Sequence, residues 1–280
     1  MSDKKNIFDR KRLAHNRLRA ATNFVNHDFL FQETATQLRD RLKDISREFP
    51  KSLELGTRCP VLADQALFTS DLDPKLKKGT SLFVTMDEEF IAFRPRTLEL
   101  VISNLSLHWI NDLPGTLLQI CDVLKPDGLF LAAMLGGETL KELRASLTAA
   151  EMDISGGAAP RISPFADIRD AGTLLQRAGF ALPVTDLDTI SVTYNNAFDL
   201  MRELRGMGET NILNSTPSSV PARSLFPRAA SIYHKRYANS EGRIPATFQI
   251  LYLHGWAPHK SQQKPLKPGS AKNLLANALN

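Results

Sequence analysis

The 280 residues are 42% hydrophobic and 23% charged, an ordinary globular balance that excludes a disordered or fibrous chain. No apolar run approaches the ~20 residues of a bilayer-spanning helix, and no apolar core follows the N-terminal charges as in a secretory leader. The net charge of +5 is uneven: residues 1–24 carry +5, the stretch after Pro258 +4, and the body between them −4. In chain order, apolar residues at helical spacing predict two amphipathic helices over 6–24 and 29–47, ended by Phe49-Pro50. A different rhythm then begins. Short apolar runs at 52–55, 66–72, 81–87, 98–105 and 128–135 read as strands. An amphipathic helix over 112–125 starts at Asp112 with Pro114 and stops at Lys125-Pro126-Asp127-Gly128. Helices at 165–180, 196–208 and about 224–238, and strands at 184–194 and 246–257, complete the pattern; residues 259–280 read as a disordered basic tail. Strands buried on both faces and alternating with helices predict an α/β, doubly wound parallel sheet.

Ligands of such sheets bind beyond the carboxyl ends of the strands. Those ends carry Glu54-Leu55-Gly56, then Asp71, then Asp87-Glu88-Glu89, then Asn104 followed by His108 and Trp109. A glycine lets backbone approach a ligand, and carboxylates can accept from ribose hydroxyls and from an adenine amine. Each signal alone fits a turn or a cap; in series they point to an adenosyl ligand.

The series LELG, SDLD, MDEEFIAF, LELVISNLSLHWINDLP and VLKPDGLFL resembles class I S-adenosylmethionine (SAM)-dependent methyltransferases, near the malonyl carrier-protein methyltransferase of biotin synthesis. The segments FDRKR, GGETLKELRASL, RISPF, LLQRAGF, ELRGMGETN and PATFQILYLHGW resemble bacterial relatives of a mitochondrial complex I assembly factor with this fold, an arginine hydroxylase. The resemblance implies a seven-stranded Rossmann-like sheet over 49–258, preceded by the basic helices of 1–48, with helical lids at 136–164 and 195–245. It implies SAM as cofactor, with Gly56 as loop glycine, Asp71 on the ribose, Asp87 on the adenine amine with Glu88 beside it, Asn104 flanking the methionine part, and Glu54 fixing the loop. His108 and Trp109 fall on the substrate side. His108 is a candidate general base or a locally satisfied histidine; Trp109 reads as packing.

The chain departs from the family where further loop glycines belong, supplying Arg58, Cys59 and Pro60, and leaves only residues 56–65 for the first crossover. At most one or two helical turns fit there. Three readings stay open: a SAM-dependent enzyme on a small acid, carrier-bound ester or protein; a protein-modifying complex I assembly factor; or a binding module that has lost SAM. No metal site is expected, and neither an HxD…H triad, a flavin motif nor GxSxG is present. Cys59 beside Arg58 is a weak candidate for a lowered thiol pKa, and Cys121 reads as core. The cysteines suit a reducing, cytoplasmic setting. The expected partner is a protein or carrier-protein substrate, including a complex I subunit. No specific nucleic acid is expected, and the basic ends are compatible with peripheral membrane contact or simply with solvation.

Overall fold

The computed structural model describes residues 6–62, 65–165, 167–215 and 222–263. The strands are β1 (Ser52–Leu55), β2 (Phe68–Asp71), β3 (Leu82–Thr85), β4 (Leu98–Asn104), β5 (Leu124–Leu135), β6 (Ala181–Tyr194) and β7 (Ile244–Trp256). They form one sheet in the order β3-β2-β1-β4-β5-β7-β6, with β7 antiparallel to both of its neighbours. The seven strands are those expected from the resemblance, but the sheet read from the strand pattern as parallel is mixed, because β7 runs antiparallel. The helices are α1 (Arg10–Ala21), α2 (Phe29–Lys43), α3 (Leu113–Val123), α4 (Lys141–Ser155), α5 (Ile168–Arg177), α6 (Ala197–Met207) and α7 (Leu225–Tyr237).

Two apolar layers flank the sheet. One joins β4, β5 and β7 to α2, α4, α6 and α7; the other joins the opposite face to α3 and α5. The first crossover runs over 56–67, two residues longer than expected, and its described residues hold no α-helix. The face it leaves bare is covered by α2, whose Leu30, Phe31, Ala35 and Leu38 are buried against Leu100, Ile102, Leu129 and Leu131. Beside α2, near the start of β1, a groove of about 710 Å³ remains. It lies at the opposite end of the strands from the ligand edge of such sheets.

Several boundaries differ from the sequence reading: α2 ends at Lys43, β2 shortens to Phe68–Asp71, and β6 begins at Ala181. α3 stops at Val123 as expected, and Lys125–Gly128, with Asp127 at φ +65°, bulges out of the ladder between the Leu98–Leu124 and Leu100–Leu129 pairs while lying within the span of β5. Conversely, β3 shrinks to four residues on an exposed edge. Of the expected basic tail, residues 264–280 lie outside the described residues.

Candidate functional site

The predicted acids do meet at the carboxyl edge of the sheet, around partners the sequence reading did not assign to them. Helix α1 is capped by Asp9, whose carboxylate accepts from the Arg12 N–H. Its buried face carries Leu13, Asn16, Arg17 and Ala20. Arg17, read as part of a solvated basic helix, is completely buried. Its Nη1 donates to Asp71 Oδ1 at 2.7 Å and to Glu88 Oε1 at 3.0 Å, and its Nη2 donates to Ser106 Oγ at 2.9 Å. The Ser106 hydroxyl in turn donates to Glu88 Oε1 at 2.6 Å. One helical step before Leu13, Arg10 donates from Nη2 to Asp87 Oδ1 at 2.7 Å, to Glu88 Oε2, and from Nη1 to the Trp109 carbonyl at 3.2 Å.

Burial drives Glu88 upward, yet Arg10 and Arg17 outweigh it and hold the carboxyl at about 2. Burial raises Asp71 as well, and Arg17 offsets only part of that. Gly56 turns the chain beneath this cluster at φ +67°, where a Cβ would collide with Ser106 Oγ and come within 2.7 Å of Glu88 Oε1. Only glycine serves there.

The other predicted residues are tied elsewhere. Asn104 accepts from Thr34 Oγ1 at 2.7 Å and donates to the Phe31 carbonyl at 3.0 Å, fastening β4 to α2. Glu54 accepts from the Leu62 backbone N–H and so ties the end of β1 to the crossover. Burial, opposed by backbone N–H groups and Arg39, lifts Glu54 to about 7. The folded protein therefore holds this proton more tightly than the unfolded chain, whose carboxyl titrates near 4.5. The stability it contributes is full below that value and is lost as pH rises through about 7. Urea unfolding should show Glu54→Gln gaining ~2–3 kcal/mol relative to the parent between pH 5 and pH 8. An unchanged difference would exclude this titration.

Arg58, in place of a loop glycine, points inward. Its guanidinium lies 4.3 Å from the Phe24 ring centroid and 5.0 Å from that of Phe31, and donates to Glu209 Oε1 at 3.1 Å. Cys59 is a correction: burial pushes its thiol up to about 11, outweighing Lys78 and Arg39, so it is not an activated thiol. Cys121 is half-buried at the edge of the core rather than within it.

Glu209 is the residue sequence reasoning missed. It follows Gly208, the φ +74° cap that ends α6. Glu209 Oε2 accepts from Trp109 Nε1 at 2.6 Å and pairs with His108 Nε2 at 3.1 Å. His108 Nδ1 accepts from the Leu135 N–H at 3.5 Å, which leaves the ring proton on Nε2, facing Glu209. With both nitrogens engaged, His108 is placed to orient Glu209. Burial opposes ionisation of Glu209, but His108 and Arg58 outweigh it and hold the carboxyl below its usual range. Glu209 and Trp109 border a cavity of about 300 Å³ between α4, α6 and α7, walled by Leu143, Leu147, Phe165 and Met201. This cavity lies among the segments 136–164 and 195–245. Among the described residues, no group of three or more His, Cys, Asp or Glu side chains could hold a metal ion.

The chain belongs to the methyltransferase-domain family, which matches residues 27–183, and is a class I SAM-dependent methyltransferase-type transferase by fold and descent. More particularly, it is 43% identical over 97% of its length to "Arginine-hydroxylase NDUFAF5, mitochondrial" of Danio rerio, covering 89% of that protein. A malonyl-[acyl-carrier protein] O-methyltransferase of Gallionella capsiferriformans is 32% identical, over 62% of this chain and 58% of its own. The YcgJ protein of Bacillus subtilis shares the fold, with a TM-score of 0.54 at 11% identity over 79% of this chain and 98% of its own.

SAM is the cofactor of this class. Gly56, Asp71 and Asp87 suit its adenosyl half in type and position, and Asp71 Oδ2 is buried without a hydrogen-bond partner. In the conformation described, however, Arg17 and Arg10 occupy those carboxylates, and the cradle does not accommodate the nucleoside.

Proposed function

We propose that this chain is an arginine-modifying enzyme that acts on a protein subunit during assembly of respiratory complex I. The observation that carries the reading is the extent of the likeness: identity to the arginine hydroxylase runs through 97% of the chain, lids included, whereas the carrier-protein enzyme matches only 62%. The apolar walls of the cavity suit the aliphatic stem of a side chain, while Arg161, Arg205 and a Glu209 already paired with Arg58 also line it. In this reading Asp71 and Asp87 hold the ribose and adenine of SAM, with Glu88 and Gly56 shaping the cradle. Glu54 fixes the crossover, Asn104 anchors its far wall, His108 orients Glu209, and Trp109 closes the cavity. When bound, SAM supplies a transferable methyl group. No described helix is long and apolar enough to cross a membrane. We place the protein in the cytoplasm, in peripheral contact with the membrane that carries the complex; the relative named above as a hydroxylase is mitochondrial.

Deleting the gene should lower NADH–quinone activity and remove a modified arginine from complex I peptides. Mass spectrometry tells one added oxygen from one added methyl group. Unaltered activity and unaltered peptides would overturn the proposal. One observation favours a second reading, a binding module without catalysis: the two arginines that fill the cradle.

A further inference from the structure

We infer that α1 and SAM are alternative occupants of one site: the helix places Arg17 on Asp71 and Arg10 on Asp87 when the cofactor is absent, and must leave for the cofactor to enter. The inference rests on the SAM reading above. It also bears on the second reading, because a filled cradle is then a resting state rather than a lost site.

Three observations carry it. First, α1 engages the very carboxylates that the ribose and adenine would use. The Asp71–Arg17 pair is fully buried, and the side chain of Arg10 is only 11% exposed. Second, the fit is incomplete. Arg17 Nε, Asp71 Oδ2 and Asn16 Nδ2 are all buried without a hydrogen-bond partner. Buried polar groups in a permanent interface are normally satisfied, and each unmet one opposes docking. An occupant that uses one oxygen of Asp71 leaves the other for a better-matched diol.

Third, α1 is held outside the two main cores. Its Leu13 packs, with Phe8, into a separate small cluster with Trp109, Ile212 and Leu213. The backbone tie is short: Asp9 N–H to the Ile212 carbonyl at 2.8 Å and Asn214 N–H to the Ile7 carbonyl at 2.9 Å. The face of α1 away from the site carries exposed Lys11, Arg12, His15 and Arg19, so the helix has a solvated side already. The same tie joins α1 to the segment just after Glu209 and to Trp109, both at the border of the substrate cavity. Departure of α1 would thus loosen that border as the cofactor arrives. Cofactor entry and substrate access become one event.

If α1 competes with SAM, the measured affinity is the intrinsic one reduced by the fraction of molecules with the cradle open. Loosening α1 without touching an acid should then tighten binding. The experiment is calorimetric titration of the purified full chain with SAM, parent against Leu13→Ala, with Phe8→Ala as an independent second variant. Amide hydrogen exchange of residues 10–21 is followed with and without SAM. The expected result is a Kd lower by about tenfold or more in both variants, and faster exchange of α1 in the parent at saturating SAM. Equal Kd values, with α1 exchange unchanged or slowed by SAM, would overturn the competition and leave the cofactor reading standing. Absence of binding to all three proteins at millimolar SAM would overturn the cofactor reading and this inference with it.

Discussion

Arg17→Met is expected to remove ~3–5 kcal/mol of folding stability at neutral pH, measured by urea unfolding. The guanidinium is the counter-ion of two carboxylates that have no water around them, Asp71 and Glu88, and all three side chains have zero exposure. Methionine fills much of the volume but leaves those charges with only Arg10, which reaches Glu88 and not Asp71. Adding Asp71→Asn should cost less on the Arg17→Met background than on the parent, with a coupling of ~2 kcal/mol in a double-mutant cycle. The acid limb gives a second readout. Glu88 is held at about 2 in the fold, below its ordinary 4.5, so its contribution is present above pH 4.5 and is lost as pH falls through about 2. Without Arg17 that protection shrinks, and acid unfolding should begin at higher pH. A loss below ~1 kcal/mol with no coupling would mean that Arg17 is not the counter-ion the geometry makes it.

Glu209→Ala should be comparably costly, ~3–5 kcal/mol, and, on the function proposed above, should abolish the arginine modification even at temperatures where the variant is folded. The loss strands Arg58, which burial already lowers to about 10 despite Glu209. It also frees Trp109 Nε1 and His108 Nε2, two groups that only Glu209 bonds among the described residues. Trp109 emission should shift, whereas His108→Gln, which can still donate to Glu209, should shift it less. If Glu209→Ala retained modification at the parent rate, the carboxylate would have no place in the site.

Much of the fold was legible because sheet strands and helices declare themselves by period. The run LELVISN is buried along nearly its whole length in β4, as its composition requires. The strand-end acids were legible for the same reason: once the strands are placed, their last residues follow. What the sequence reading could not supply was the identity of the partners. Arg10, Leu13 and Arg17 lie three and four residues apart and therefore share a face, which was visible in principle. A basic helix is usually solvated on its charged side, however, and nothing local says that this face meets an acid cluster more than fifty residues away. Glu209 was hidden in the same way, as a polar residue after a helix-ending glycine, where a turn explains it equally well. Cys59 misled because adjacency to arginine suggested a lowered thiol pKa; the side chain of Arg58 turns to Glu209, and desolvation decides the thiol.

The short first crossover has a kinetic side. The helix that shields β4 and β5 lies before β1 in the chain, so α2 cannot dock until strands made much later exist. Its hydrogen bonds to Asn104 close loops of 70 and 73 residues. Closure over such distances must be met before any contact repays it, and chains dominated by non-local pairing fold slowly. On the ribosome, Phe31 and Leu38 emerge early and wait uncovered while the sheet is still being synthesised. Helix α2 is thus made before the strands it covers and is placed only after them, so its apolar face stays open to wrong partners for longer than that of any helix that follows its strands.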